Sequence, residues 1–389
     1  MSNPEDPSVT TGGPGPSATT GGPGPSVTAG GPDPSATTGG PGDVRGPRSW
    51  PARTVLVAEL SANHQGDLER AKDTLHAMQA SGADWVKLQT YRPESLALDL
   101  DGPHFGPRTS GPWAGLRPFD LYTRGALPLA WHAELFALAA ALGMTCFSSP
   151  FDEQAVDFLE QLGCPCYKVA SLEITHVPLL ERIAATGAPV ILSTGAATLG
   201  DIELALDTLG RERSDITLLK CTTAYPTPFA EVNLRSMVTL GTSFGLPVGL
   251  SDHTLGHTVA VAAVALGARL IEKHFILERA HGGPDAAFSM EPAEFRALVD
   301  AVRATEDALG SERYVLAPSS AEARLRGRSI FVSAAVAAGE PLSEANVRIV
   351  RPGAGLHPRH LRAVLGRRAR EDLAPGTPLA WQHVSAPDD

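Results

Sequence analysis

From Arg53 onward, short apolar or β-branched runs alternate with stretches in which apolar residues recur at helical spacing. The runs are TVLVAEL from Thr54, WVKLQT from Trp85, MTCFSS from Met144, CYKVAS from Cys166, PVILST from Pro189, ITLLKCT from Ile216, PVGLSDH from Pro247 and RLIEKHF from Arg269. Runs of this length and residue type, bounded by turn residues, read as buried strands. Between them lie LERAKDTLHAMQASG, WHAELFALAAALG and TVAVAAVALG, whose period is that of a helix and which end near a Gly, the residue that accepts a left-handed cap. Eight strand-helix units in about 260 residues predict a (β/α)8 TIM barrel, of α/β class, over residues 53–312.

The flanks read differently. Residues 8–43 repeat a nine-residue unit in which Ser8, Ser17, Ser26 and Ser35 each lead into a Thr/Gly/Gly/Pro cluster. Such a composition has almost nothing apolar to offset ordering entropy, so residues 1–52 are expected to be a disordered tail without chemistry. Asp99 to Arg117, rich in Gly and Pro, reads as a long loop after the second strand, of a length usually reserved for lids. Residues 313–326 read as a polar linker. Residues 327–389 read as a small α+β module with a strand in IFVSAAV, a turn and helix in GEPLSEANV, and RPGAGLHP.

Bulk properties narrow the function. With 389 residues and 43% hydrophobic content the chain can bury a full-sized core. It has no apolar run of about 18 residues and a polar N-terminus, so no membrane partner is expected and a cytoplasmic location is. Cys146, Cys164, Cys166 and Cys221 lack paired CxxC spacing and read as reduced packing residues. A net charge of -11 disfavours nucleic acid as a partner. The arginines between Arg348 and Arg370 read as a solvated face or an anion-attracting field. Only five of the 32 basic residues are lysines, and Lys87, Lys168, Lys220 and Lys273 fall in predicted strands, which points to buried anion contacts. Because strand residues alternate faces, Lys273 and His274 cannot both point inward.

In such barrels the reacting groups project from the C-terminal ends of the strands. Polar residues close nearly every run: Glu59 with Asn63 and His64, Lys87 with Gln89, Ser148 and Ser149, Lys168 with Ser171 and Glu173, Ser193, Thr222 and Thr223 with Tyr225, Ser251 with His253, and Glu272 with His274. Closing the barrel sets the first, seventh and eighth strands side by side, about 4.8 Å apart. Glu59, His253 and His274 are therefore expected to converge on one divalent cation, with open positions for water and substrate; two imidazoles and a carboxylate would suit Mn, Fe, Co or Zn. Lys87 and Lys168, with the hydroxyls of Ser149, Ser171, Ser193 and Ser251, form the donor-rich cavity a small phosphorylated carboxylate requires. No Walker loop or Rossmann fingerprint accompanies them, so nucleotides and nicotinamide are not expected.

The strings AELSANHQG, KLQTY, FSSPFD, YKVAS, ILSTG, CTTAYPTP, GLSDHTLG, EKHF and GGPDAAFSMEP occur in this order, and the chain resembles the NeuB-like sialic acid synthase family over about residues 53–385. The C-terminal unit is similar to that family's antifreeze-like (SAF) domain. AELSANH, the Tyr after KLQT, and GGPDAAFSMEP look most like the pseudaminic acid synthases, with N-acetylneuraminate or legionaminate synthases as the alternative. The resemblance implies condensation of phosphoenolpyruvate with 2,4-diacetamido-2,4,6-trideoxy-L-altrose. It implies a divalent metal (Mn, Mg or Co) on His253 and His274, with Glu59 positioning or activating water. Lys87, Ser149, Lys168, Ser171, Ser193, Thr223 and Ser251 fall at phosphoenolpyruvate positions, Thr223 replacing the Asn of many relatives. Gln89, Glu173, Tyr225, Asp285 and Phe288 fall near the acceptor sugar. Arg351 matches an arginine that reaches into the other subunit's site, implying a domain-swapped homodimer.

Two rival readings differ in class. A metal-dependent aldolase or sugar isomerase would turn over substrate without phosphoenolpyruvate. A noncatalytic sugar-binding protein would carry no metal.

Overall fold

The computed structural model describes residues 51–386. Most of the expected N-terminal tail lies outside them. Eight parallel strands, β1 (Val55–Glu59), β2 (Trp85–Thr90), β3 (Thr145–Pro150), β4 (Tyr167–Val169), β5 (Val190–Ser193), β6 (Ile216–Cys221), β7 (Val248–Ser251) and β8 (Leu270–His274), close into a barrel in sequence order. A helix follows each strand, from Leu68–Ala80 after β1 to Pro292–Leu309 after β8. The starts are built locally: the Asp67 carboxylate accepts from the amides of Glu69 and Arg70, and Thr198 and Asp201 form a reciprocal capping box.

Strand alternation divides the core. Leu56 and Ala58 pack with Leu75 and Met78 of the first helix and Leu298 of the last. Val55 and Val57 join Trp85, Phe147 and Tyr167 in a second cluster. Glu59 shares the Val57 face. The register then fixes its neighbours, since Glu59 pairs with Lys87 on β2 and with His274 on β8.

Residues 99–117 form the expected loop after β2, flanked by helices at Pro93–Leu96 and Pro118–Gly125. The 313–326 stretch carries the helix Pro318–Leu325, none of whose residues is buried. In the C-terminal unit, β9 (Ser329–Val332) and β10 (Val347–Val350) pair antiparallel over a core that includes Ile330, Val347 and Leu379. GEPLSEANV forms a turn rather than the expected turn and helix. The Asn346 amide oxygen accepts from the Ser343 amide at 2.7 Å and its nitrogen donates to the Pro341 carbonyl at 3.0 Å, tying the turn so that β10 begins at once.

Candidate functional site

The C-terminal ends of the strands open into a cleft of about 800 Å³, its mouth included. Of the residues given a metal, phosphoenolpyruvate or acceptor role from the sequence, all line it except Ser149, Lys168, Phe288 and Arg351; the strand-end residues Asn63, His64, Ser148 and Thr222 do not line it either. Ser149 instead donates its hydroxyl to the Lys168 carbonyl at 3.0 Å. Phe288 is buried behind the lining, its ring 5.1 Å from both Tyr225 and His274. Arg351 is exposed on the C-terminal unit.

On the floor, Lys87 bridges two buried carboxylates, Glu59 at 3.0 Å and Glu272 at 3.1 Å. Gln89 donates to Glu59 at 2.8 Å and Ser251 to Glu272 at 3.0 Å. Burial works to raise the Glu59 pKa, but Lys87, His274 and the Gln89 amide outweigh it and hold the group at about 2. Burial likewise works against the charged Lys87, and Glu272 with Glu59 raise its pKa in spite of that. The result is a fixed charge cluster with one carboxylate atom to spare: among the described residues, the buried Glu272 Oε2 has no hydrogen-bond partner.

Lys168 lies directly beneath the floor and is buried, its Nζ donating to Ser193 Oγ at 2.7 Å and to the Val169 carbonyl at 2.9 Å. Its positive charge reaches the cleft through Ser193. Burial lowers its pKa to about 8. Glu173, half-buried at the side, is raised by burial to about 7.

The other two strand lysines do not serve the cleft. Lys220 donates to the Cys221 carbonyl and to Thr222 Oγ1 at 3.2 Å. Lys273 is fully buried on the opposite face of β8 from His274, paired with Asp252 at 2.9 Å and donating to the Thr254 carbonyl. Its two contacts flank His253, so the strand ends carrying both histidines are fastened together.

The His253 and His274 rings lie 5.3 Å apart. His253 donates its Nδ1 proton to the Thr222 carbonyl at 3.1 Å, which leaves Nε2 as the ligating nitrogen. His274 Nδ1 is buried and has no hydrogen-bond partner among the described residues. Among the described residues, however, no three His, Cys, Asp or Glu side chains gather into a group able to hold a metal ion. The expected convergence of Glu59 with the two histidines is therefore corrected. One Glu59 oxygen is 3.4 Å from His274 Nε2, but the other is committed to Lys87 and Gln89. What remains fits an open two-histidine site whose further ligands come from water or substrate.

Behind Ser171 and Thr223 the backbone itself shapes the cleft. The Gly195 amide donates to Ser171 Oγ at 3.1 Å, and a Cβ there would stand 2.7 Å from Thr223 Oγ1, 2.8 Å from Ser171 Oγ and 3.0 Å from Cys221 Sγ. Thr223 Oγ1 is buried and has no hydrogen-bond partner among the described residues, as a donor awaiting a ligand would be. Gly195→Ala is expected to displace these hydroxyls and weaken binding of a phosphorylated acid about tenfold, ~1.4 kcal/mol, measured as KM.

Sequence reasoning did not assign the part of the lining formed by Leu96, Trp113, Tyr122 and Phe151, and it took Tyr91 only as a mark of the resemblance. It listed Glu272 with His274 at the strand end but gave it no part in binding, although a residue two positions before His274 on a strand must share its face. Cys221 lines the cleft as well; all four cysteines are free and buried. Among the described residues no helix is long and apolar enough to cross a membrane.

Comparison with known proteins places this cleft in context. The NeuB family matches residues 74–314 and the SAF domain residues 327–385. A pseudaminic acid synthase of Helicobacter pylori is 45% identical over 332 residues, covering 85% of this chain and 97% of that protein. An N,N'-diacetyllegionaminic acid synthase of Legionella pneumophila is 37% identical, covering 87% and 97%. The crystal structure of the spore coat polysaccharide biosynthesis protein SpsE from Bacillus subtilis, 31% identical, superposes with a TM-score of 0.58 over 86% of this chain and 96% of that one.

Proposed function

The chain belongs to the NeuB family, and from that membership we propose that it condenses phosphoenolpyruvate with 2,4-diacetamido-2,4,6-trideoxy-L-altrose, releasing phosphate and giving the nine-carbon pseudaminic acid. The observation that carries this reading is a floor of lysine and hydroxyl donors set against two histidines and an apolar wall in one cleft. A small dianionic acid needs the first, a polarised carbonyl the second, and an N-acetylated deoxy sugar the third.

Lys87, Ser171, Ser193, Thr223 and Ser251 hold the phosphate and carboxylate of phosphoenolpyruvate, with Lys168 adding charge from below and Ser149 steadying the Lys168 backbone. Gln89, Glu173, Tyr225 and Asp285 face the acceptor, and Phe288 backs Tyr225. His253 and His274 would hold a divalent cation such as Mn, Mg or Co, which when bound supplies Lewis-acid polarisation of the acceptor aldehyde. Carbon 3 of phosphoenolpyruvate bonds to the aldehyde carbon, and the aldehyde oxygen takes up a proton. Glu59 orients a water whose oxygen adds to carbon 2 as positive charge develops there, and the carboxylate stabilises that charge. The adduct then expels phosphate by breaking the bond from carbon 2 to the bridging oxygen, leaving the ketone. Exposed Arg351 fits a domain-swapped homodimer in which it enters the other subunit's cleft. The reading places the enzyme in the cytoplasm.

Phosphate release in the presence of Mn²⁺ tests the reading, with the altrose sugar compared against N-acetylmannosamine and the legionaminate precursor. Selective release with the altrose sugar is expected. Preference for another acceptor would move the specificity within the family, and release with none would overturn the reading.

The pH dependence follows from Lys168. Its pKa, lowered by burial to about 8, means the charge beneath the phosphate is present below pH 8 and lost as pH rises through it. The kcat/KM for phosphoenolpyruvate is expected to fall on the alkaline side near pH 8, and Lys168→Met is expected to abolish that limb.

A further inference from the structure

Trp113 stands on the loop between β2 and β3, far from any strand end, yet its position is closely determined. Its indole Nε1 donates to the Pro284 carbonyl at 2.8 Å, joining this loop to the one after β8. The Arg108 guanidinium lies 5.3 Å over its ring and hydrogen-bonds the Tyr122 hydroxyl at 3.4 Å. Backbone bonds between Arg108 and Leu116 (3.0 Å) and between Gly115 and Arg108 (2.8 Å) close the turn that carries it. Arg117 clamps the base of the loop through Asp99 and Asp120, each at 2.9 Å. The indole is half-buried, lines the cleft, and lies 5.5 Å from Tyr225 and 6.4 Å from Phe288.

Its one hydrogen-bond donor is used on Pro284, so the ring offers the cleft only an apolar surface. It neighbours Tyr225, whose ring lies 4.3 Å from that of His253 and 6.4 Å from that of His274, which puts the indole on the histidine side of the cleft assigned above to the acceptor. The indole face gives that part of the lining an apolar patch that a methyl group can cover, and an acceptor hydroxyl pressed against the ring would lose water without gaining a partner.

We propose that Trp113 determines acceptor specificity by packing against an apolar substituent that N-acetylmannosamine lacks, the 6-deoxy methyl or the 4-acetamido methyl of the sugar, and so disfavours acceptors that place a hydroxyl there. This rests on the acceptor reading above. Loss of a fitted methyl contact is worth roughly 10- to 100-fold in kcat/KM. Trp113→Ala is expected to raise the KM for the 2,4-diacetamido-6-deoxy acceptor by about that factor, to leave the phosphoenolpyruvate KM unchanged, and to narrow the preference over N-acetylmannosamine to match. Trp113→Phe, which keeps a ring and lacks the tie to Pro284, retains most of the preference.

An equal loss with both acceptors, a rise confined to the phosphoenolpyruvate KM, or no change would overturn the assignment. Wild-type turnover in the same assay reports separately on the acceptor reading. Quenching of tryptophan fluorescence by the acceptor in wild type but not in Trp113→Phe is the expected result without turnover, and equal quenching in both would contradict the contact.

Discussion

Glu59→Gln is expected to lower kcat by about 10²- to 10⁴-fold while leaving the fold intact, the range typical of a positioned group that assists water. The side chain is buried and its place is fixed by register, between Lys87 on β2 and His274 on β8. Gln keeps the shape and an acceptor oxygen but removes the negative charge that the developing cation at carbon 2 requires. The loss should therefore appear in kcat, with KM for both substrates little changed and thermal unfolding close to wild type. Turnover near wild type in this variant would remove Glu59 from the chemistry.

Lys87→Met is expected to have an equally large effect of a different kind. Lys87 is the cation shared by Glu59 and Glu272, and all three are buried. Removing it leaves two carboxylates facing each other without compensation, and breaking a buried pair in this way costs about 3–5 kcal/mol. Denaturant unfolding should show that loss together with absent turnover. Lys87→Met combined with Glu272→Gln should recover much of the stability, because one of the stranded charges is gone, while turnover stays absent. A single variant as stable as wild type would mean that the charge cluster is not what holds the floor together.

Much of the barrel was legible because its strands are short, apolar and bounded by turns, as strands covered on both faces must be. The floor of the cleft was legible for the same reason: once the strands are placed, their C-terminal polar residues must converge. The lysines were read less well. Alternation already set Lys273 against His274, and Lys273 is the one sent outward to Asp252; counting lysines in strands did not foresee that Lys220 turns to the Cys221 carbonyl or that Lys168 reaches the cleft only through Ser193. Glu272 was listed at its strand end with His274, and the same alternation could have given it its place on the floor. Trp113 could not be placed, since a loop residue has no period and its direction is set by distant contacts such as that with Pro284. The expected three-ligand metal set failed on a detail of charge: Glu59 lies beside His274, yet the neighbouring lysine on β2 claims its carboxylate.

The central claim is that phosphoenolpyruvate is the carbon donor to an N-acetylated deoxy sugar. The most direct test incubates the full-length protein with Mn²⁺ and 2,4-diacetamido-2,4,6-trideoxy-L-altrose, with either phosphoenolpyruvate or pyruvate as donor, and follows product mass and phosphate together. The account predicts one phosphate released for each nine-carbon acid formed from phosphoenolpyruvate, and no product from pyruvate. Product from pyruvate, or consumption of the sugar without either donor, would contradict it and point to aldolase or isomerase chemistry in the same cleft.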